Sequence, residues 1–92
     1  MNVVNNTKAQ RFEIALPDGA VAFSDYRLTD RTVIFPHTVV PRSHEGQGLA
    51  SRIAKASLEW ARSEGLKVVP ACSFYADYMQ RHPETHDLLA HD

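Results

Sequence analysis

The sequence predicts one small α/β (α+β) domain, in which a twisted, mostly antiparallel sheet carries two helices and one parallel strand–helix–strand crossover. Three patterns predict this class. Residues 11–40 contain runs in which apolar and polar residues alternate, which is the period of half-buried strands. Residues 49–64 have a helical period, and residues 67–72 form a short β-branched run. A strand, a helix and a strand in this order form a right-handed crossover, so the last strand should lie parallel to the strand before the helix.

Length and composition limit the function classes. The chain has 92 residues, which is the size of a single domain spanning residues 1–92. The net charge is −1 and 43% of the residues are hydrophobic, so the basic surface of a nucleic-acid binder is missing. No apolar run reaches the roughly 18 residues of a membrane span, and the N-terminus lacks the apolar core of a signal peptide. We expect a cytoplasmic protein, monomeric or weakly dimeric, that binds neither nucleic acid nor membrane.

The first two predicted strands form a hairpin. Residues 1–10 are polar and are expected to be partly loose. The next strand has one apolar face, made of Phe12, Ile14 and Leu16. A Pro-Asp-Gly turn signal follows at residues 17–19. The second strand, residues 20–28, has these side chains on one face: Ala22, Tyr26 and Leu28.

A third strand is predicted at residues 32–40, which are rich in β-branched side chains. Pro36 lies inside this run. Because proline cannot donate to a strand ladder, we expect a sheet edge or a bulge at this position.

A long helix is predicted at residues 49–64, and it has a polar stripe made of Arg52, Lys55, Glu59 and Arg62. The other positions are mostly apolar, which suits a helix laid on a sheet. Gly65 is a good C-terminal stop. After the strand at residues 67–72, Ser73 is expected to cap a final helix from Phe74 to about Gln80. Residues 83–92 are expected to be a polar, solvated segment.

Two glycines separate the third strand from the long helix. They belong to the glycine loop, residues 45–48, with Gly46 and Gly48 two positions apart. Unpaired N–H groups at a helix start favour anions, and glycine leaves room for a phosphate. The third glycine of the dinucleotide fingerprint and the Gly-Lys-Ser/Thr of a P-loop are both missing. A phosphate-binding loop and a plain turn before a helix both fit this pattern.

Several segments together resemble a known family. They are Thr38-Val39-Val40-Pro41, Glu45-Gly46-Gln47-Gly48-Leu49-Ala50, Pro70-Ala71-Cys72-Ser73-Phe74 and Arg81-His82-Pro83-Glu84. This set is similar to the short single-domain branch of the GNAT superfamily of acetyl-CoA-dependent N-acetyltransferases, over roughly residues 12–89. The resemblance implies a minimal GNAT-like fold. It also implies transfer of an acetyl group from acetyl-CoA to an amine, on a small molecule or a peptide.

The resemblance assigns the coenzyme A contacts. The pyrophosphate is expected on the glycine loop, and the pantetheine arm along the third strand. The residues so implied are Val39, Val40, Glu45, Gly46, Gln47, Gly48, Leu49 and Ala50. Two positions depart from the superfamily pattern: Ser43 stands where Arg or Gln is usual, and Glu45 where a basic residue is frequent.

Cys72 and His37 are the first candidates for chemistry. Cys72 follows a strand and precedes a helix, a position that favours the thiolate, and ligands gather beyond the carboxyl ends of such strands. It either receives or positions the acetyl group, or is a small buried residue. His37 is a candidate general base or a structural histidine, and its face depends on the geometry at Pro36.

The remaining candidates lie near the C-terminus. The resemblance implies a tyrosine that protonates the departing coenzyme thiolate, and we assign this role to Tyr78, with Tyr75 on the same helix face. Either tyrosine could simply pack. His82 and His86 have a spacing that can bind zinc, with His91 nearby, but Pro83 interrupts the helix, so no metal site is expected. Trp60 and Phe74 are expected to be core residues.

Three functions remain open from the sequence. Acetyl transfer to an amine leads. A non-catalytic acyl-CoA-binding module is the alternative, because so short a chain leaves few residues for an acceptor pocket. A small metal-dependent hydrolase that uses the histidines is the least favoured.

Overall fold

The computed structural model describes residues 2–90, so both ends of the predicted domain, including His91, lie outside the described residues. Within residues 2–90 the strands are β1 (Val4–Asn6), β2 (Arg11–Ala15), β3 (Val21–Asp25), β4 (Arg27–Thr29), β5 (Thr32–Ile34), β6 (Thr38–Val39) and β7 (Lys67–Val69). The α-helices are α1 (Leu49–Ser63) and α2 (Ser73–Arg81), and 3₁₀ helices occur at Arg42–His44 and Pro83–Leu88.

The strands form two sheets. One is antiparallel with the order β1-β2-β3-β6, and the other has the order β4-β5-β7. Strands β5 and β7 pair in parallel, with Val33 opposite Val68, and α1 lies in the connection that joins them. The predicted fold class, mostly antiparallel with one parallel crossover, is therefore confirmed.

The predicted strand at residues 32–40 is wrong as a continuous element, because β5 and β6 belong to different sheets. The Phe35 N–H donates to Val69 O at 3.1 Å, so the chain still follows β7 at that point. Two residues later His37 O accepts a hydrogen bond from β3 at 3.3 Å. Pro36 lies between them and has no N–H, so it marks the change of partner.

The predicted strand at residues 20–28 is likewise divided, between β3 and β4. At the division the Tyr26 N–H donates to Gln10 O at 2.9 Å, and the Tyr26 ring is buried. The chain turns there, so Leu28 leaves the core and is 46% exposed. The prediction that Leu28 shares a face with Tyr26 and Ala22 is therefore wrong.

The N-terminal segment is more ordered than the sequence predicts. Strand β1 pairs antiparallel with β2, with Asn5 opposite Phe12. The Tyr26 hydroxyl donates to Asn5 Oδ1 at 2.9 Å. Main-chain pairing does not depend on apolar side chains, so a polar segment can add an edge strand. The expected looseness of residues 1–10 is wrong for residues 4–6.

The core lies between α1 and the strands. The buried residues of α1 are Leu49, Ile53, Ala54, Ser57, Leu58 and Ala61, and all four residues of the polar stripe are exposed. The Trp60 ring packs 5.3 Å from Phe12 and 5.1 Å from Tyr26. Full burial of a side chain such as Ile53 stabilises the fold by about 1.5–3 kcal/mol. The helix ends as predicted at Gly65, whose φ of +69° is left-handed.

Residues 83–90 dock against the fold and are not solvated throughout, contrary to the prediction for residues 83–92, of which 91 and 92 lie outside the described residues. Leu88 is only 5% exposed, and the Ala90 N–H donates to Val68 O at 2.9 Å. Arg62 of α1 holds Asp87 through two hydrogen bonds of 2.7 and 3.0 Å. Apolar residues within a polar run thus dock the segment against β7 and α1.

The C-terminal histidines bind backbone carbonyls. His82 Nδ1 donates to Tyr78 O at 2.6 Å, and His86 Nε2 donates to Met79 O at 2.8 Å. Within residues 2–90 no cluster of His, Cys, Asp and Glu could hold a metal ion. None of the helices in this part of the chain combines the length and apolarity needed to cross a bilayer.

The start of α2 differs from the prediction by one residue. Cys72 is the N-cap residue and Ser73 is already helical. No side chain caps the first turn, so the prediction that Ser73 caps this helix is wrong.

Candidate functional site

A cleft opens where the parallel strands separate. The Cys72 N–H donates to Phe35 O at 2.8 Å, and this is the last main-chain bond between the two segments. Beyond it the chain from β7 enters α2, whereas β6 follows β3. In an antiparallel ladder alternate residues point their backbone groups to opposite sides. Because His37 and Val39 face β3, the backbone groups of Thr38 and Val40 face the cleft.

The glycine loop lies at one end of this cleft. The backbone N–H groups of residues 46–51 have no acceptor among residues 2–90. Gly48 is the N-cap of α1 with a φ of +73°, and Gly46 has a φ of +84°. A Cβ added at either glycine would meet nothing within 4 Å. The loop is therefore an open, amide-lined cradle at a helix N-terminus, which is a geometry that binds phosphate.

One cavity of about 300 Å³ is lined by most of the predicted coenzyme residues. It is lined by Val40, His44, Glu45, Gly46, Gly48, Leu49, Ala50, Ser51 and Phe74. Two predicted residues do not line it. The Val39 side chain lies on the opposite face of β6 and is 41% exposed, and Gln47 is exposed between the glycines.

The cradle and the cleft fit coenzyme A. Free amides and the α1 N-terminus suit the pyrophosphate, and the free backbone groups of Thr38 and Val40 suit the amide groups of a pantetheine arm. Phe74 adds an apolar wall across the cavity. Glu45 is the one carboxylate among the lining residues, and it stands next to the cradle.

Cys72 faces the inner side of β6. Its thiol donates to Thr38 Oγ1 at 3.6 Å, and the Thr38 hydroxyl donates to Ser24 Oγ at 3.3 Å. The Ser24 side chain is completely buried, whereas Cys72 itself is half-buried. The sulfur thus lies at the boundary between the cleft and the core.

His37 faces the outer side of the same strand. Its Nε2 lies 2.7 Å from Asp25 Oδ2, and its side chain is 56% exposed. Arg11 holds Asp25 from the other side at 3.4 Å. Together with Gln10 and Arg27, His37 and Asp25 line a pocket of about 240 Å³.

The structure therefore does not bring His37 and Cys72 together as a pair. Neighbouring residues of a strand point to opposite faces, and Thr38, which binds the sulfur, follows His37 directly. The imidazole and the thiol approach the cleft from opposite faces of β6. The sequence could not predict this, because the division at Pro36 decides the face.

Tyr78 makes its contacts away from both Cys72 and His37. Its ring stacks on His82 at 3.9 Å and contacts Phe74. Burial raises the pKa of its phenol, and the charges of Glu84 and Glu59 raise it further. Within the described part of the chain, no hydrogen bond joins Tyr78 to Cys72 or His37, and its role as an acid stays a prediction.

Tyr75 packs in the core. It is completely buried, its ring stacks on Phe35 at 4.3 Å, and its hydroxyl lies 2.7 Å from Ser57 Oγ. Burial raises the pKa of Tyr75 to about 12, against the opposing effect of hydrogen bonds to Ser24 and Ser57. The Tyr75 hydroxyl is therefore neutral at physiological pH.

Sequence reasoning missed Ser24, Ser51 and Ser57, and it gave no role to Thr38, although Thr38 belongs to a segment that carries the resemblance. The three serines stand in no motif, and two of them are buried on separate elements. Their juxtaposition depends on the pairing of β3 with β6 and on the packing of α1 against α2, so no local signal in the sequence could have found it.

Comparisons with known proteins agree with this geometry. A family model described as GCN5-related N-acetyl-transferase matches residues 11–88. The chain is 31% identical over 86 residues to Protein NATD1 of Gallus gallus, covering 90% of this chain and 77% of that protein. It is 30% identical over 86 residues to Protein NATD1 of Homo sapiens, covering 90% and 75%.

A solved structure is similar as well. A GCN5-like protein of Staphylococcus aureus, determined by NMR, matches with a TM-score of 0.75 and 26% identity. The match covers 97% of this chain and 87% of that chain. The minimal fold that the sequence resemblance implied is confirmed.

Proposed function

Since a family model matches residues 11–88, this chain belongs to the GCN5-related N-acetyltransferase family, and we propose that it transfers an acetyl group from acetyl-CoA to an amine. One observation carries the proposal. The unpaired amides of the glycine loop lead directly into a cleft whose wall, at Thr38 and Val40, offers free backbone groups. A plain turn before a helix would explain the loop, but it would not explain the adjoining cleft.

The chain supplies binding and orientation. Amides of residues 46–51 bind the pyrophosphate, and the cleft aligns the pantetheine arm along β6. Acetyl-CoA, when bound, supplies the acetyl thioester. Holding the two reactants in line removes much of the entropic barrier to the reaction.

His37 is the proposed base. Its Nε2 is engaged by Asp25 at 2.7 Å, which orients the ring and leaves Nδ1 for an incoming amine. Asp25 in turn is fixed by Arg11. The pocket of about 240 Å³ beside this pair is the proposed entry for the acceptor amine, which we expect to be a small molecule or an exposed peptide side chain.

The alternative is a non-catalytic acyl-CoA-binding module. It is favoured by the openness of the acceptor side, where His37 is 56% exposed and no further element covers the pocket among the described residues. Both functions need the same loop and cleft. Only turnover separates them. For either function we expect a cytoplasmic protein, as the sequence indicated.

Coenzyme binding is tested by thermal unfolding with and without coenzyme A. A ligand at a hundredfold excess over its Kd stabilises the native state by about 2.7 kcal/mol, which raises the Tm of a small domain by about 10–20 °C. Gly46→Ala should lose most of this response. Gly65→Ala is the matched control, because both glycines have left-handed φ values and both variants cost about 1–2 kcal/mol. An equal response in the two variants would place the ligand elsewhere.

Catalysis is tested by release of the coenzyme thiol in the presence of polyamines, amino acids and lysine peptides. A base at His37 predicts that His37→Gln binds coenzyme A as the parent does but loses turnover by about 10²–10⁴-fold. Binding without turnover for every amine class in the parent protein would favour the binding module.

A further inference from the structure

A short line of hydroxyl groups lies behind Cys72, and we call its two members, Thr38 and Ser24, the hydroxyl chain. Thr38 Oγ1 lies 3.6 Å from the sulfur and 3.3 Å from Ser24 Oγ. The Ser24 side chain has no exposed surface. A second, separate pair of buried hydroxyls, Tyr75 and Ser57, lies 2.7 Å apart in the core.

The direction of each bond follows from the carbonyl at which the hydroxyl chain ends. A carbonyl can only accept, so Ser24 donates its one proton to His37 O at 3.4 Å and accepts the proton of Thr38. The second pair is separate, because Ser57 donates to Ala54 O at 3.1 Å and Tyr75 donates to Ser57.

Thr38 therefore has no proton left for the sulfur. Its oxygen can accept a hydrogen bond from a thiol, but it cannot donate one to a thiolate unless its bond to Ser24 breaks. The candidate base His37 does not face the thiol, because it lies on the other side of β6.

We propose that Thr38 and Ser24 are positioning residues that hold Cys72 as a thiol, whose S–H is donated inward to the hydroxyl chain. The role of Cys72 in acetyl transfer rests on the proposed function. The protonation state of the thiol and the alkylation test do not depend on that function. The consequence for the enzyme is that Cys72 orients groups at the thioester and is not a resident nucleophile.

The test uses the fact that Cys72 is the single cysteine of the chain. The rate of the first alkylation by iodoacetamide, followed by intact-protein mass spectrometry from pH 6 to 8.5, where thiols react much faster than amines, therefore reports this sulfur. No coenzyme is present, so the result is independent of coenzyme binding and turnover. Failure of the proposed function would appear in those assays and not in this one.

Ser24→Ala is the decisive variant. It removes the acceptor of the Thr38 proton, which can then turn to the sulfur and stabilise the thiolate. We expect alkylation at pH 7 to become faster by about three- to tenfold, which corresponds to one hydrogen bond, and the pH–rate profile to move to lower pH. His37 O stays satisfied, because the Asp25 N–H also donates to it.

Three further variants separate this effect from loosening of the core. Adding Thr38→Val to Ser24→Ala should abolish the gain, because no hydroxyl remains to turn. Thr38→Ser should behave as the parent does. Ser57→Ala removes a buried hydroxyl that lies outside the hydroxyl chain and should leave alkylation unchanged.

The titratable groups around the sulfur are unchanged in all of these variants. They are Tyr75 on α2, His37 with Asp25 across β6, and His44 with Glu45 across the cavity. A rate in Ser24→Ala equal to or below that of the parent would overturn the proposal. So would a gain that survives in the double variant or appears equally in Ser57→Ala.

Discussion

Tyr75 combines packing and polarity in one side chain. Its ring stacks on Phe35, and its hydroxyl donates to Ser57 in the core. Burial raises its pKa to about 12, compared with about 10 in an unfolded chain. The folded state therefore keeps this phenol neutral at a pH where the unfolded state has lost the proton.

This difference predicts an alkaline loss of stability. The neutral Tyr75 stabilises the fold fully below pH 10, and the contribution is lost as the pH rises from about 10 to about 12, by about 2–3 kcal/mol in total. The free energy of unfolding, measured in urea from pH 9 to 11.5, should fall more steeply in the parent than in Tyr75→Phe. Parallel curves for the two proteins would contradict the prediction.

Glu45 places a negative charge beside the phosphate cradle. It lines the same cavity as Gly46 and Gly48 and has no ion pair among the described residues. At a protein surface, a like charge near the pyrophosphate costs on the order of 0.5–1 kcal/mol. We therefore expect Glu45→Gln to tighten coenzyme A binding by roughly twofold to fivefold.

Calorimetric titration at low and high salt checks this prediction. The gain should shrink as salt rises, since exposed charges are screened over about 8–10 Å. Glu64→Gln is the control, because Glu64 lies beyond the far end of α1, about 22 Å from the loop at the rise of an α-helix. Equal affinities of the parent and Glu45→Gln at low salt would mean that Glu45 does not face the phosphates.

At the scale of elements, the C-terminal 3₁₀ helix is held against α1 and the core. Pro83–Leu88 is joined to α1 through Arg62 and Asp87, and Leu88 is buried. Leu88→Ala should lower the free energy of unfolding by about 2–5 kcal/mol through the cavity it leaves. Leu28→Ala is the matched control, because Leu28 is exposed and its truncation should cost less than about 0.5 kcal/mol. Similar losses in urea unfolding would contradict the docked position.

Elements differ in how far the sequence could predict them. Helix α1 has a clear period, an exposed polar stripe and Gly65 at its end, so its limits follow from local rules. Pro36 signals that a strand cannot continue, but the new partner of the chain lies in β3 and is not encoded locally. The docking of Leu88 depends on contacts with elements far along the chain. The segment has too few apolar residues to show a hydrophobic periodicity, so the sequence could not predict that it is buried.

At the scale of the whole molecule, the position of the glycine loop could be predicted from the sequence. The sides of β6 on which the candidate catalytic residues lie could not. Gly46 and Gly48 before a helix predict an open loop at a helix N-terminus, for which a phosphate-binding loop and a plain turn were both open. The face of β6 toward which the His37 side chain points is set by the change of strand partner at Pro36. A shift of one residue there would turn His37 to the face that Cys72 contacts. The hydroxyls of Thr38, Ser24, Tyr75 and Ser57 come from four separate elements, and no residue pattern indicates that they lie near one another.

The free backbone groups of Thr38 and Val40 have a consequence for how the chain folds and assembles. Unpaired strand edges are where chains join one another wrongly. A small domain with such an edge would depend on whatever fills it, and a pantetheine arm would serve there as a removable strand. If coenzyme A binds there as proposed, it would cover the free strand edge and shield the chain from misassembly. The amount of coenzyme in the cell would then affect how much of this protein assembles correctly.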